Sequence, residues 1–383
     1  MSFLISANQE DDPEFYRIPE IDLHAVHLRW AEAAAGRSLE GPGHGVRVAQ
    51  LVRRLEEMRR GDRPRPLVVS SDGAPADREL LAVLLDALPG DGSVLFEHFD
   101  QNTSRGLQRD RLRRRSRWES PGLRRRASRV ARGASELSPR GRLGIADGRM
   151  TWNGEPVRLR GLAPTYGSLG TRRHDPVALA HWLHRSGVNF TRLWCIEQWT
   201  AQAADLSGAP GWRTALAPWQ GSGPPARGGQ PYNLDVFERR WFERLEAFFE
   251  ATWELGVVVQ LSLFDWAGLR DLPERGRWRD HPFNPENHRP RRFDERVTAG
   301  GYPIGFTATE GPLWHIVERF VTRVGRVARR FGHVILEIAN EPRGVDPGAE
   351  RRWHRAVAQC LRAVDPRPGK AVPPAVDFSP PAS

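Results

Sequence analysis

The stretch VILEIANEP, Val334 to Pro342, is an apolar run closed by Asn340, Glu341 and a proline. Strands buried on both faces read as near-continuous apolar runs, unlike half-exposed strands, which alternate with polar residues. Amphipathic patterns flank it, at 312–331 before and 348–364 after. The second places Trp353, Ala356, Val357, Cys360, Leu361 and Val364 on one helical face. Upstream the same grammar repeats. VRLRGLAP (157–164) precedes a helix predicted at 175–186, VNFTRLW (188–194) one at 234–255, and VVVQLSLFD (257–265) the helix at 312–331. Ahead of these units, two turn signals, Asp147-Gly148 and Asn153-Gly154, separate short alternating runs and predict β-hairpins. Apolar strands separated by amphipathic helices imply an α/β fold with a parallel, helix-covered sheet.

The first hundred residues use the same pattern. SFLISA, IDLHAVHL, PLVVSS and SVLFEHF read as strands, with helices predicted at about 45–60 and 76–88. Four strands in front and four behind make the eight that a (β/α)8 TIM barrel needs to close. The predicted organisation is a half-barrel at 1–102, an Arg-rich helix and linker at 103–140, a hairpin plus half-barrel at 141–366, and a Pro-rich tail at 367–383. The linker carries twelve arginines against two acids between Arg105 and Arg132. Without interleaved aromatics it reads as a solvated connection, with little ordered structure expected after about Ser120.

Composition bounds the partners. The net charge is +10 and the pI about 10.7, which would ordinarily point to nucleic acid. Lys370 is the only lysine in an Ala-, Gly- and Pro-rich chain, so the arginine excess reflects compositional bias, and nucleic acid is disfavoured as a partner. No run approaches the roughly 18 consecutive apolar residues of a membrane span, so no membrane partner is expected. MSFLISANQEDD lacks a basic n-region, and the expected location is cytoplasmic. Cys195 and Cys360 have no metal-like spacing and are expected to be buried thiols; no metal or organic cofactor is indicated. Oligomeric state is not readable from the sequence.

The region 142–366 resembles clan A of the glycoside hydrolases, the cellulase-like TIM barrels. NGEPVRLRG is similar to that clan's hairpin and first strand, VNFTRLW to its second, with the arginine at Arg192, and LEIANEP to its fourth. The resemblance implies strands five to eight after Pro342, where only about forty residues remain. FLISAN, IDLHAVH, RPLVVSSDG and VLFEHFD at the front resemble those four strands instead. The chain therefore resembles a circularly permuted barrel opened between helix four and strand five; the competing account is a gene joining two hydrolase halves. Permutation predicts that Phe3 to Ala7 lies parallel beside Val334 to Asn340.

The resemblance implies a retaining hydrolase acting on a β-linked oligosaccharide or glycoside, with a carbohydrate as its partner. Such chemistry needs two carboxyl groups flanking the anomeric carbon, about 5–5.5 Å apart when one attacks and wider when it activates water. Glu341 takes the general acid/base position at a strand's C-terminal end. The seventh strand departs from the family: Ser71 stands where its nucleophilic glutamate belongs, and Asp72, one residue on, becomes the candidate nucleophile, facing Glu341 at or beyond the upper retaining separation. Glu97 is the substitute. By the same resemblance Asn340 binds a substrate hydroxyl and Arg192 steadies the nucleophile. His27, His98, Asp265 and Glu197 are further binding candidates, and Trp194, Trp199 and Trp266 are candidate sugar-stacking faces, although each alone also suits a core. The segment 278–305, with HPFNPEN, reads as a loop over the active face. Without a working nucleophile the protein would be a carbohydrate-binding pseudoenzyme.

Overall fold

In a computed structural model the described residues are 3–8, 18–28, 65–72, 91–92, 94–99, 127–128, 130–163, 169, 175–196, 216–221, 229–269, 278, 281–292, 306–340 and 346–365. The fold is mixed α/β. Its strands are β1 (Phe3–Asn8), β2 (Leu23–Leu28), β3 (Leu67–Asp72), β4 (Val94–Phe99), β5 (Leu143–Ala146), β6 (Arg149–Trp152), β7 (Glu155–Pro156), β8 (Arg160–Ala163), β9 (Phe190–Trp194), β10 (Trp219–Gln220), β11 (Asn233–Phe237), β12 (Val258–Asp265) and β13 (Val334–Asn340). Four helices are described: α1 (Pro176–Arg185), α2 (Arg239–Glu254), α3 (Gly311–Ala328) and α4 (Pro347–Val364).

The helices begin where local chemistry permits. Asp175 and Asp346 cap α1 and α4, accepting from Val177 N and Ala349 N, and each is followed by a proline at the first helical position, where no N–H is needed. Glu238 caps α2 through Arg240 N. The helix predicted from residue 234 starts at Arg239, because Asn233–Phe237 pair antiparallel with Trp219–Gln220. Strand pairing there overrides a helical periodicity that continues smoothly into α2.

Eight strands pair in the closed order β1-β13-β12-β9-β8-β4-β3-β2, every pairing parallel. The junction of front and back halves is the β1–β13 pair, with Phe3 opposite Val334 and Ser6 opposite Glu337. Asp22 ties the same junction from outside the strands, accepting from Ile5 N at 2.8 Å and pairing with Arg362 of α4.

Alternation along the strands separates two apolar layers. Inside, Leu4, Leu23, Val68, Leu95, Phe190, Val258 and Ile335 meet Leu159, which stands just ahead of β8, in one buried cluster. Outside, Phe3, Ile5, Val69, Leu193, Leu261, Val334 and Leu336 pack against the helices. The predicted hairpins form the sheet β5-β6-β7, whose turns hold Asp147, Gly148, Asn153 and Gly154 at positive φ. This pattern is the one expected of Asx-Gly turns, since only Gly, Asn and Asp enter that region at low cost. Leu143 N donates to Gly332 O just before β13 and Met150 N to Gly92 O just before β4, both at 2.7 Å. The sheet therefore sits under the strands' N-terminal ends, where Met150 and Trp152 join the inner cluster.

Beyond Ser120 the chain is better tethered than the sequence predicts. Residues 127, 128 and 130 are helical, and Ala127 and Val130 are buried in the outer layer. Asn189 donates to Ser135 O at 2.7 Å, and Arg140 pairs with Glu250 and Glu254. Apolar positions hidden between arginines supply the anchor. The segment read as a loop over the active face is, in its described part, packed: Trp278 and Phe283 are buried, and Phe283 lies 5.0 Å from Trp219. The helices predicted at 45–60 and 76–88, the arginine cluster up to residue 126 and the tail lie outside the described residues. Among the described residues no helix is long and apolar enough to cross a membrane. Cys195 is buried and Cys360 half-buried.

Candidate functional site

Three neighbouring strands, β9, β12 and β13, bring a polar network to their C-terminal halves. Arg192 on β9 and Glu337 on β13 are 1% and 0% exposed. Arg192 Nε donates to Glu337 Oε2 at 2.8 Å and Nη2 to Oε1 at 2.7 Å, a two-pronged contact that fixes both planes. Nη2 also donates to Asn340 Oδ1 at 2.7 Å, and Asn340 Nδ2 donates to Asp265 Oδ1 at 3.0 Å. A continuous chain therefore runs Glu337–Arg192–Asn340–Asp265. The Trp194 ring lies over the guanidinium, 5.0 Å from Cζ to centroid.

Two local irregularities build this chain. On β13, Leu336 and Ile338 face the outer layer, but Ala339 packs there too, so that Asn340 turns to meet Arg192. On β12, Leu263 and Phe264 both pack outward, and Asp265 follows. The two shifts coincide: Phe264 pairs with Ala339 and Asp265 with Asn340. Strict alternation would have sent Asn340 outward with Ile338. Paired breaks of period deliver both polar side chains to one point.

Burial pushes the Glu337 carboxyl above the usual carboxylate range. The Arg192 charge and its hydrogen bonds oppose the rise, with smaller help from Ser262 and Gln260. The Gln260 side chain is fully buried, and neither of its amide atoms has a well-formed hydrogen bond among the described residues. Ser6 Oγ, opposite Glu337 in register, is likewise unpartnered among them.

Of the residues expected at the site, Arg192, Asn340, Asp265 and Trp194 gather here. Glu341, Glu197 and Trp199 lie outside the described residues. Asp72, His27, His98 and Glu97 are described by their strand positions alone: Asp72 ends β3 and pairs with Phe99, His98 pairs with Ser71, and Ser70 pairs with both His27 and Glu97. Arg192 bonds to Glu337 and Asn340. Trp266 takes the core role instead of a stacking one: it is 1% exposed and lies 5.0 Å from Phe306 and 5.4 Å from Trp353. Trp194, 7% exposed with Arg192 against its ring, offers little free face.

Sequence reasoning missed Glu337. Its signal was present as a single acid inside an otherwise apolar strand, matched by a single arginine inside FTRLW two strands away. Neither charge is tolerable alone in a buried strand, so each predicts the other. When the chain was compared with known proteins, no family model, curated protein or solved structure matched it.

Proposed function

We propose that the protein is a glycoside hydrolase built on a circularly permuted (β/α)8 TIM barrel, cleaving a β-linked oligosaccharide or glycoside with retention. The observation that carries this reading is the β1–β13 junction. It joins the two halves in one ring, so that Arg192, Asp265 and Asn340 share a rim with the end of β3, where Asp72 stands. In such a barrel the C-terminal rim is where catalytic groups collect.

In the proposed mechanism Glu341, next after Asn340, protonates the leaving glycosidic oxygen and then deprotonates the attacking water. Asp72 forms and releases the glycosyl intermediate. Asn340, held between Arg192 and Asp265, meets a sugar hydroxyl beside the reacting carbon. The Arg192–Glu337 pair holds that asparagine in place from below.

The test is turnover of a panel of aryl β-glycosides and β-linked disaccharides. Glu341→Gln should nearly abolish cleavage of the disaccharides while sparing aryl glycosides with activated leaving groups, which need little protonation. Asp72→Asn should abolish both. Full activity of Asp72→Asn would move the nucleophile to Glu97. A wild-type protein that binds oligosaccharides without cleaving any would be a carbohydrate-binding pseudoenzyme.

A further inference from the structure

The orientation of Asn340 is decided from two sides. A carboxamide can turn over, exchanging its donor and acceptor ends at little steric cost. Here the oxygen faces a guanidinium, which can only donate, at 2.7 Å, and the nitrogen faces the Asp265 carboxylate at 3.0 Å. Arg192 is itself held by the two prongs on Glu337, and Asp265 stands directly opposite Asn340 in register at the end of β12. All three side chains are at least nine-tenths buried.

We infer that Asp265 is a positioning residue: by accepting from Asn340 Nδ2 it locks the Asn340 carboxamide in the single orientation in which it reads a glycoside hydroxyl. The inference rests on the proposed glycosidase reading. It changes the role of Asp265 from substrate ligand to a group acting through its neighbour. Removing the carboxylate takes away the bond at the nitrogen end of Asn340 while the bond from Arg192 to its oxygen stays, and the amide plane is then freer to pivot about that bond. Asparagine at position 265 keeps an acceptor oxygen of the same reach and should preserve the lock, whereas leucine cannot.

The experiment compares kcat/KM for an aryl β-glycoside that the protein cleaves with its 2-deoxy analogue, in the wild type, Asp265→Leu, Asp265→Asn, Asn340→Ala and the Asn340→Ala/Asp265→Leu double variant. One well-oriented hydrogen bond should favour the hydroxylated substrate about tenfold or more. Asp265→Leu and Asn340→Ala should each erase that preference, the double variant should add nothing, and Asp265→Asn should retain most of it. An Asp265→Leu protein that loses both substrates equally, with the preference intact, overturns the inference. If the wild type cleaves no aryl glycoside in the panel, the glycosidase reading falls, and the orientation is decided by the Asn340 side-chain amide signals in 15N NMR. An Asn340 N–H shifted downfield by its bond to the oxygen of residue 265 in the wild type and Asp265→Asn but not in Asp265→Leu upholds the lock; identical signals in all three refute it.

Discussion

Replacing Arg192 by methionine tests whether the buried network holds the strand ends together. The substitution removes the two prongs on Glu337 and the bond to Asn340 Oδ1, and leaves a fully buried carboxyl without its cation. Breaking such a pair from one side costs about 3–5 kcal/mol, and losing the contact with Trp194 adds about 0.5–1. Glu337→Leu should cost a similar amount by stranding the guanidinium. The double variant removes both charges and fills the space with apolar atoms, which is often neutral for a buried pair. What then remains is the lost bond from Arg192 to the Asn340 oxygen, about 1–2 kcal/mol. The two single losses together should therefore exceed the double loss by several kcal/mol. Urea denaturation of the four proteins, read as midpoint and slope, measures this directly. Additive losses would show that Arg192 and Glu337 do not act as a unit and would refute the network.

Acid should destabilise the fold through three buried histidines. Burial holds His333 and His281 down to about 3 and His354 to about 4, against 6.5 when exposed. Their neutral forms belong to the folded state, so this stability is complete above pH 6.5 and is lost as pH falls toward the folded values. At about 1.4 kcal/mol per pH unit for each group, pH 5 should cost about 2 kcal/mol per histidine and about 6 in all. Urea titrations that give the same stability at pH 7.5 and pH 5 would contradict it. Gln260→Met should raise stability by about 1–2 kcal/mol, since it removes a buried amide with no well-formed hydrogen bond at either end among the described residues; a clear loss on thermal melting would mean that its interaction with Glu337 outweighs the cost of burying it. Gly161→Ala should cost about 1–3 kcal/mol or more, because its Cβ would fall 2.3 Å from the Phe190 carbonyl oxygen in the neighbouring strand. An unchanged melting temperature would show that β8 and β9 can separate freely.

The sequence by itself determined the elements whose signals are local. VVVQLSLFD and VILEIAN are apolar runs too long and too β-rich for loops, and both are strands. Asp147-Gly148 and Asn153-Gly154 require positive φ and both supply it. The face from Trp353 to Val364 reads directly as a helix, because 3.6-residue periodicity needs only its own chain. Order could also be inferred: the β1–β13 pairing followed from counting strands, since a ring missing one member leaves an unpaired edge.

Tertiary structure alone decided what depends on partners distant in sequence. Residues 234–237 looked helical and became a strand because Trp219–Gln220 lies beside them. Trp266 could have served a ligand or the core, and Trp353, some ninety residues away in sequence, settled it for the core. Ala127 and Val130 were invisible among arginines until the outer layer buried them. The site shows the same division. Asn340 and Asp265 stood out as polar residues at strand ends, but strict alternation would have pointed Asn340 to the wrong side. It took matched irregularities in two neighbouring strands to turn both inward, and Glu337 gained its meaning only when parallel pairing carried it within reach of Arg192. Hydrophobic period is a property of one segment, whereas a buried charge is a statement about its counterpart, and only the closed ring brings the two together.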